Sequence, residues 1–386
     1  MSMKTHFKIR LSFLLIPLAA LLLNGCQKKE EPSNVVVLEA TQSQPLKIGE
    51  PKQIIKLETT KESQLRYVSK TAIDKQNNRI FILSDRNVFI FDGKGRFINK
   101  LRKGKGPGEI LRTFSFSINP AKQLFYAVDG FRRLCVFDYN GKFIQDYHLK
   151  DYPIMNVQSM DSDQVLLHHF TGEKKEEQQH IVGLYGLKDS KIIREFIPED
   201  ESSYPSQVAI MNNSFSVNGS RLFFASNNIW GLFEWKNNQF KRILSFDIGK
   251  RMAPSSFVDK YLPVEKRVYF RDDALKRGYV PWLLESFNFK GYYWAIIFDE
   301  KKSCYAIDEN NYRKVYMDGP VSAYFGLPEV KSLQYPREMT KNYMVFACSP
   351  ADFFDADDTE TTKTITIGDK QVQIDMNENP FLIVAE

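Results

Sequence analysis

The apolar and polar positions of this chain alternate in short runs that are separated by glycine-containing turns. Two such runs, at residues 79–85 and 123–129, each end in an aspartate. Each is followed by a second apolar run and then by the sequence Phe-Asp-x-x-Gly-x-Phe-Ile, which begins at residue 91 and again at residue 137. Period-two alternation around Asp-Gly and Asn-Gly turns predicts antiparallel β-hairpins. The chain is therefore predicted to consist mainly of short strands.

A repeat of this length, made only of short strands, is typical of one blade of a β-propeller. Similar but less regular strand patterns recur over residues 154–196, 208–248, 282–317 and 333–385. The last region supplies candidate strands at 333–335, 343–348, 364–367 with 371–375, and 380–385. We therefore predict an all-β, six-bladed propeller with four-stranded antiparallel blades over residues 49–386.

Two further features complete the predicted architecture. A strand at residues 51–58 is expected to pair into the last blade beside the C-terminal strand, which would remove an exposed sheet edge. The strand pattern breaks at residues 250–284, where charged residues recur at helical spacing and Ser255 is a candidate cap. There we predict one or two short helices between the fourth and fifth blades. This insertion either covers the binding face or is a surface segment without a role in binding.

The N-terminus carries the features of an export signal. A basic start precedes an apolar run at residues 11–23, which is shorter than the roughly 20 residues that span a bilayer. We predict a signal peptide at 1–25 and a flexible tether at 26–48. Leu23-Asn24-Gly25-Cys26 resembles the bacterial lipobox, which implies cleavage before Cys26 and acylation of its thiol. An ordinary signal peptide with a chance cysteine is the alternative.

Charge and cysteine content narrow the classes of function. The formal charge of +6 includes several basic residues of the leader, and no dense Lys/Arg patch indicates nucleic-acid binding. The predicted roles of Cys135, Cys304 and Cys348 are those of small buried side chains, although a Cys304–Cys348 disulfide stays open. No metal ligand set is predicted, because adjacent histidines on a strand point to opposite faces. No cofactor is predicted either.

The candidate ligand contacts fall into two groups. Asp85 and Asp129 end equivalent strands and are expected near one face, where they either bond turns or ring the channel mouth. Lys105 and Glu109 lie in Gly104-Lys105-Gly106-Pro107-Gly108-Glu109, which lacks the Gly-Lys-Ser/Thr end of a phosphate loop. This loop is interpreted as an inter-blade crossing, with Glu109 accepting N–H groups of the neighbouring blade, or as a lining of the channel mouth.

A second group of candidates is aromatic. The side chains of Trp230, Trp282 and Trp294 would stack on a sugar if they were exposed, or would pack between blades if they were buried. No catalytic residue is assigned, because the chain holds no recognisable catalytic constellation in sequence.

These features resemble the six-bladed β-propeller lipoproteins of Bacteroidota, which are relatives of NHL-repeat and TolB-type propellers. The resemblance rests on the lipobox, the two Phe-Asp-x-x-Gly turns, the 104–109 loop and the ending Asn379-Pro380-Phe381-Leu382-Ile383-Val384. The basic-then-acidic order of residues 27–33 also resembles the export signal of surface lipoproteins, and a solvated linker without such a signal is the alternative. The resemblance implies a fold and an outer-membrane, surface-exposed location, but little biochemistry.

The function expected from the sequence is non-catalytic. A membrane-anchored binding or scaffold propeller would present a loop face to a glycan, a peptide or an envelope protein. The alternative is a propeller enzyme, a glycan hydrolase or lyase, whose residues are gathered from several blades around the channel. A pair of carboxylates at the channel mouth would favour that alternative. A component of an export or nutrient-uptake complex is a third possibility.

Overall fold

The computed structural model describes residues 34–39, 47–160, 163–169, 180–198, 213–300, 303–317 and 319–386. Residues 34–386 form one compact unit. The described strands are β1 Asn34–Val37, β2 Pro51–Ile55, β3 Val68–Asp74, β4 Arg79–Ser84, β5 Asn87–Asp92, β6 Phe97–Lys100, β7 Thr113–Asn119, β8 Leu124–Asp129, β9 Arg133–Asp138, β10 Phe143–His148, β11 Ile154–Ser159, β12 Gln164–His169, β13 His180–Gly186, β14 Lys191–Pro198, β15 Phe215–Asn218, β16 Arg221–Phe224, β17 Gly231–Lys236, β18 Gln239–Asp247, β19 Leu283–Phe289, β20 Tyr292–Ile297, β21 Cys304–Asp308, β22 Lys314–Met317, β23 Glu338–Met339, β24 Met344–Cys348, β25 Thr362–Ile367, β26 Lys370–Asp375 and β27 Phe381–Ala385.

The helical elements of the described residues are few and short. Two are α-helices, α1 Ser255–Val258 and α2 Phe270–Lys276, and the others are 3₁₀ turns at Gly249–Arg251, Asp259–Tyr261, Val264–Tyr269, Val321–Phe325, Lys331–Leu333 and Pro350–Phe353.

The strands form six blades in a propeller ring, as the repeat predicted. Blades one to five are β3–β6, β7–β10, β11–β14, β15–β18 and β19–β22, each in antiparallel order. Blade six has the order β2-β27-β24-β23, so its outermost strand comes from the N-terminal region. The innermost strands are β3, β7, β11, β15, β19 and β23. Contacts of β3 with β7 and β23, and of β15 with β11, β19 and β23, place them around a narrow axis.

The ring closes through the predicted pairing of the two chain ends. Ile54 pairs with Ile383 between β2 and β27. The Asn379 side chain bonds the segment that leads into the first blade: its Oδ1 atom accepts the Leu65 N–H at 2.7 Å, and its amide donates to the Glu58 and Ser63 carbonyl oxygens at 2.8 and 2.9 Å. These contacts join the last blade to the first across the seam of the ring.

The repeated Phe-Asp-x-x-Gly-x-Phe motif is explained by its turn geometry. Asp92 Oδ1 accepts the N–H groups of residues 94 and 96 at 2.9 Å, and Asp138 Oδ1 accepts those of residues 140 and 142 at the same distance. Gly95 and Gly141 have φ values of 84° and 81°, which side chains disfavour. The two phenylalanines of each copy pack edge to face, with ring centroids 5.6 and 5.8 Å apart. The motif therefore stabilises the turn and has a structural role.

Aromatic and aliphatic side chains fill the spaces between neighbouring blades. Phe81 of the first blade packs against Phe116 and Phe125 of the second, with centroids 6.4 and 5.2 Å apart. The three cysteines Cys135, Cys304 and Cys348 are buried in strands and free, so the Cys304–Cys348 disulfide is not formed.

The structure differs from the predicted elements in three places. Within the predicted tether, Asn34–Val37 pairs in parallel with β18 as a fifth strand of blade four. In the last region, residues 331–333 form a 3₁₀ turn, the innermost strand is Glu338–Met339, and β25–β26 forms a separate hairpin. The helical insertion is present, but Pro254 precedes α1 and no side chain caps it.

Candidate functional site: a polar ring on the propeller axis

A β-bulge recurs at the same point in four innermost strands. The pairing register shifts between residues 68 and 70, 113 and 115, 154 and 156, and 283 and 285. After the shift, Lys70, Ser115, Asn156 and Glu285 each pair with the penultimate residue of the next strand. Bulges re-aim side chains and occur often beside functional sites. Four blades therefore present a polar residue at one level of the axis.

The sixth blade adds Glu338, which begins its short innermost strand, and Arg337, which immediately precedes that strand. We call these six residues, Lys70, Ser115, Asn156, Glu285, Arg337 and Glu338, the axial ring. All are buried or half-buried. Two of them are basic and two are acidic, a concentration of charge that is unusual in a protein interior.

Lys70 joins the first and second blades. Its Nζ atom lies 3.5 Å from Ser115 Oγ and 5.5 Å from the centre of the Phe116 ring. Burial lowers the pKa of Lys70 to about 8, against the opposing attraction of Glu338 and Glu285. Among the described residues, the Lys70 ammonium group thus has no carboxylate within ion-pair distance.

Glu285 is the least satisfied member of the axial ring. Its side chain is only 7% exposed, and its Oε2 atom has no hydrogen-bond partner among the described residues. Burial raises the pKa of Glu285 to about 8, although Arg337 and Lys70 attract its charged form. A buried carboxyl without a donor is costly, so this atom needs an explanation.

Arg337 also has a side-chain atom whose hydrogen-bonding capacity is unsatisfied. It is 4% exposed, its Nη2 atom donates to the Ser332 carbonyl oxygen at 3.5 Å, and its Nε atom has no partner among the described residues. The guanidinium carbon lies 4.9 Å from the ring centre of Tyr67 and 4.6 Å from that of Tyr335. Tyr67 is 52% exposed, so this stack reaches from the ring towards solvent.

Glu338, in contrast, is fully engaged in closing the propeller. Its carboxylate accepts the Ile73 N–H at 2.9 Å, the Thr71 hydroxyl at 3.3 Å and the Tyr343 hydroxyl at 3.4 Å. Burial raises the pKa of Glu338 to about 7, and these hydrogen bonds oppose that shift. The role of Glu338 is therefore to tie the sixth blade to the first.

On the opposite side of the axis, blades three and four share a neutral network. Ser214 Oγ lies 2.7 Å from His168 Nδ1 and 3.2 Å from Asn156 Nδ2. Burial lowers the pKa of His168 to about 3, so the imidazole is neutral at physiological pH. Within the axial ring, the charged residues thus belong to blades one, five and six.

The predicted residues at the channel mouth share a face but do not meet. The side of the propeller where the innermost strands start is called the front face. Asp85, Lys105 and Glu109 lie in connections on this side, and Asp129 ends β8 there. Asp129 is buried, where it accepts the N–H groups of residues 111 and 112 and the Arg133 guanidinium. Asp85 is exposed, 3.9 Å from Arg66. The two equivalent aspartates therefore have different roles.

The 104–109 segment is a self-contained loop. Glu109 Oε2 accepts the Gly106 N–H at 2.8 Å, within the loop and not from the neighbouring blade as expected. A Cβ atom on Gly104 would lie 1.9 Å from Glu109 Oε2, so a larger residue there would displace that carboxylate. Lys105 is exposed. The loop is therefore held by its own contacts and connects the first blade to the second.

The three tryptophans are core residues. Trp230, Trp282 and Trp294 are all buried, and Trp294 Nε1 donates to the Phe289 carbonyl oxygen at 3.2 Å. Their faces are not presented to a ligand. The exposed aromatic beside the axis is Tyr67, which the sequence analysis missed together with the axial ring. The only sequence signal was a polar residue at the third position of several innermost strands.

Further features of the described chain concern metals and membranes. In the ranges given above, no three His, Cys, Asp or Glu side chains come together in an arrangement that would hold a metal ion. Among these same residues, no helix has the length and apolarity needed to cross a bilayer. Cys26 lies outside the described residues.

Comparison with known proteins gives a family and a structural relative. The family described as a domain of unknown function, DUF4934, matches residues 37–386. The chain belongs to this family. A crystal structure described as a "putative exported protein" from Bacteroides fragilis matches with a TM-score of 0.68 and 15% identity, covering 92% of this chain and 99% of that one. The WD40 domain of Sif2 matches with a TM-score of 0.41 and 11% identity, over 72% of this chain and 64% of that one. No curated protein sequence matches the chain.

Proposed function

We propose that this DUF4934 protein is a non-catalytic binding propeller of the cell envelope, which takes its ligand on the front face at the axial ring. The observation that carries the proposal is the pair of buried, unsatisfied groups, Glu285 Oε2 and Arg337 Nε. Buried polar groups in native proteins are nearly always hydrogen-bonded, so exceptions mark candidate sites. Tyr67 adds an exposed aromatic ring beside them.

The proposed location is the outer membrane, with an acyl anchor on Cys26 and the propeller at the cell surface. An extracytoplasmic location is supported by the Bacteroides fragilis structure described as a "putative exported protein", which shares the fold. The lipobox-like residues 23–26 and the polar residues 27–33 support the anchor and the tether. Kinship with lipoprotein propellers of the NHL and TolB types is part of this proposal.

Binding is tested on protein that begins at Gln27, which retains the whole compact unit. Glycan, peptide and envelope-extract arrays are probed with this protein and with a Tyr67→Ala variant. A matched control is Tyr269→Ala, which removes a 61% exposed tyrosine from the insertion. The proposal expects ligands whose signal falls in Tyr67→Ala and is retained in Tyr269→Ala. Binding that ignores both substitutions would refute the axial location.

A second candidate function is glycan hydrolysis, because two carboxyl groups with raised pKa values lie in the axial ring. Glu285, with a pKa of about 8, has the protonation state of a general acid at neutral pH. Glu338, however, is bound by three donors and would have to release them to act. Incubation with reducing-end-labelled oligosaccharides separates the two functions. Cleavage that is lost in Glu285→Gln would establish the enzyme.

A protein partner would be expected at a different place. The helical insertion exposes the consecutive residues Val268 and Tyr269, at 73% and 61%, and also Leu262, at 37%. Exposed apolar side chains that adjoin one another favour contact with another protein. Crosslinking in intact cells through a photoreactive group at position 268, compared with one at exposed position 94, tests this role.

A further inference from the structure

We propose that the propeller carries a second binding site, in which Lys290 and Lys341 hold an oxyanion group, a phosphate or a carboxylate. The site lies on the back face, which is the side of the propeller where the innermost strands end. This inference is independent of the front-face site and goes beyond the proposed function.

The site is a cavity between three neighbouring blades. Hairpin turns that follow the innermost strands β15, β19 and β23 line it, so it belongs to blades four, five and six. Its volume is about 350 Å³, which falls within the range of pockets that hold small molecules. A Cβ atom on Gly291, one of the lining residues, would meet no other atom within 4 Å. The cavity therefore has room for a ligand beside this turn.

Part of the cavity lining is fixed by a polar network. Asn218 Nδ2 donates to Asn288 Oδ1, and Asn288 Nδ2 donates to Glu309 Oε2 at 2.9 Å. Arg221 donates to Glu309 Oε1 and, at 2.6 Å, to Glu234 Oε1. Both oxygens of Glu309 are thus occupied by donors, and the Arg221 guanidinium is engaged by two carboxylates.

Two lysines supply the unpaired charge of the cavity. Among the residues that the structure describes, neither the Lys290 nor the Lys341 ammonium group lies within ion-pair distance of a carboxylate; Lys290 Nζ donates to the Ile48 carbonyl oxygen at 3.4 Å. The Lys341 stem packs on the turn at Gly219, where a Cβ atom would lie 3.2 Å from the lysine Cδ atom. The turn thus positions Lys341 at the edge of the cavity.

The chemistry of these groups selects an anionic oxygen ligand. A lysine ammonium has three donors and no acceptor, so a cationic ligand has no partner in this pair. Phosphate and carboxylate oxygens accept hydrogen bonds and carry the opposite charge. The planar fork of Arg221 is already occupied, so the lysines bind such a group as two point charges.

Calorimetric titration of protein 27–386 at low ionic strength tests the site with inorganic phosphate, glycerol phosphate and citrate. Glycerol is the uncharged comparison. At least one oxyanion should bind, glycerol should not, and added sodium chloride should weaken the binding. Lys290→Gln and Lys341→Gln should each weaken it about fivefold, because each removes one charged contact at a partly exposed site. Lys94→Gln, which alters an exposed lysine in a turn of blade one, is the matched control and should bind as the unaltered protein does.

The source of the oxyanion is decided by a second measurement. Sedimentation with phosphatidylglycerol vesicles but not with phosphatidylcholine vesicles, lost in both lysine variants, would assign the group to a lipid headgroup. Absence of binding to every soluble oxyanion and to these vesicles, or binding that both lysine substitutions leave unchanged, would overturn the site. Both lysines are exposed, so neither substitution should prevent folding. Front-face binding is tested through Tyr67, so the two proposals fail separately.

Discussion

Replacing Glu285 with glutamine should change the pH dependence of stability in a predictable direction. Glutamine keeps the size of the side chain but cannot ionise. The folded protein holds the pKa of Glu285 near 8 because burial disfavours the carboxylate, whereas the ordinary value is 4.5. The wild-type carboxyl must therefore stay protonated in the folded state over a pH range in which the unfolded chain would release the proton.

The sign and size follow from proton linkage. Below pH 4.5 the carboxyl is neutral in both states and contributes no pH dependence. As pH rises from 4.5 towards 8, the unfolded chain binds fewer protons than the folded protein, so the wild-type free energy of unfolding falls. At about 1.4 kcal/mol for each pH unit, this loss reaches about 3 kcal/mol by neutral pH. The Glu285→Gln variant does not undergo this loss of stability, because its side chain does not ionise.

The quantity to measure is therefore the difference between variant and wild type at several pH values. Urea unfolding, followed by tryptophan fluorescence, would give the free energy of unfolding at acid and neutral pH. The advantage of Glu285→Gln over wild type should grow by about 3 kcal/mol from pH 4.5 to 7. Contributions from Lys70 and Glu338 are common to both proteins. Glu62→Gln, a substitution of an exposed carboxylate, is the control.

A difference that does not change with pH, or one that shrinks towards neutral pH, would contradict the reasoning. It would mean that Glu285 is ionised in the folded protein and is satisfied by Lys70 or Arg337.

Three further predictions concern the seam, the front face and the anchor. Asn379→Ala should lower the free energy of unfolding by about 2–4 kcal/mol, because it leaves buried groups at the ring closure unsatisfied. Asn377→Ala, which alters an exposed turn residue, is the control and should have little effect. Equal effects of the two substitutions would contradict the role given to the seam. In chemical denaturation, Asp129→Asn should lower the free energy of unfolding by about 2 kcal/mol and Asp85→Asn by less than about 0.5 kcal/mol. Of these two residues, only Asp129 is buried and bonded to two N–H groups and a guanidinium. A larger loss for Asp85→Asn would be inconsistent with these contacts. Cys26→Ala should move the protein from the membrane fraction to the soluble fraction, and continued sedimentation with membranes would argue against acylation.

Most of the architecture was predictable from sequence because propeller blades are built from local hairpins. The turn at 91–97 is determined by Asp92, Gly95 and the packing of Phe97 on Phe91, all within one hairpin. Closure of the ring was also predictable, since an apolar N-terminal strand and an apolar C-terminal strand both needed a partner.

The prediction was wrong where elements depend on distant neighbours. The strand Asn34–Val37 contains three valines, which favour strands, but its partner β18 is distant along the chain and the pairing was not predicted. In blade six the innermost strand shrinks to Glu338–Met339, whose place is held by hydrogen bonds to β3. Such contacts span most of the chain and leave no local periodicity.

The sequence by itself determined the six-bladed ring, the position of the insertion and the turn chemistry, because these follow from alternation, glycine turns and apolar packing within a few residues. Only the tertiary structure decided which polar residues share the axis. Lys70, Glu285 and Arg337 are far apart along the chain, and each looks like an ordinary polar residue in a strand. Bulges turn two of them inward, and ring closure brings the third beside them. The environment that shifts their pKa values exists only once all six blades are assembled, because desolvation is a property of the closed ring.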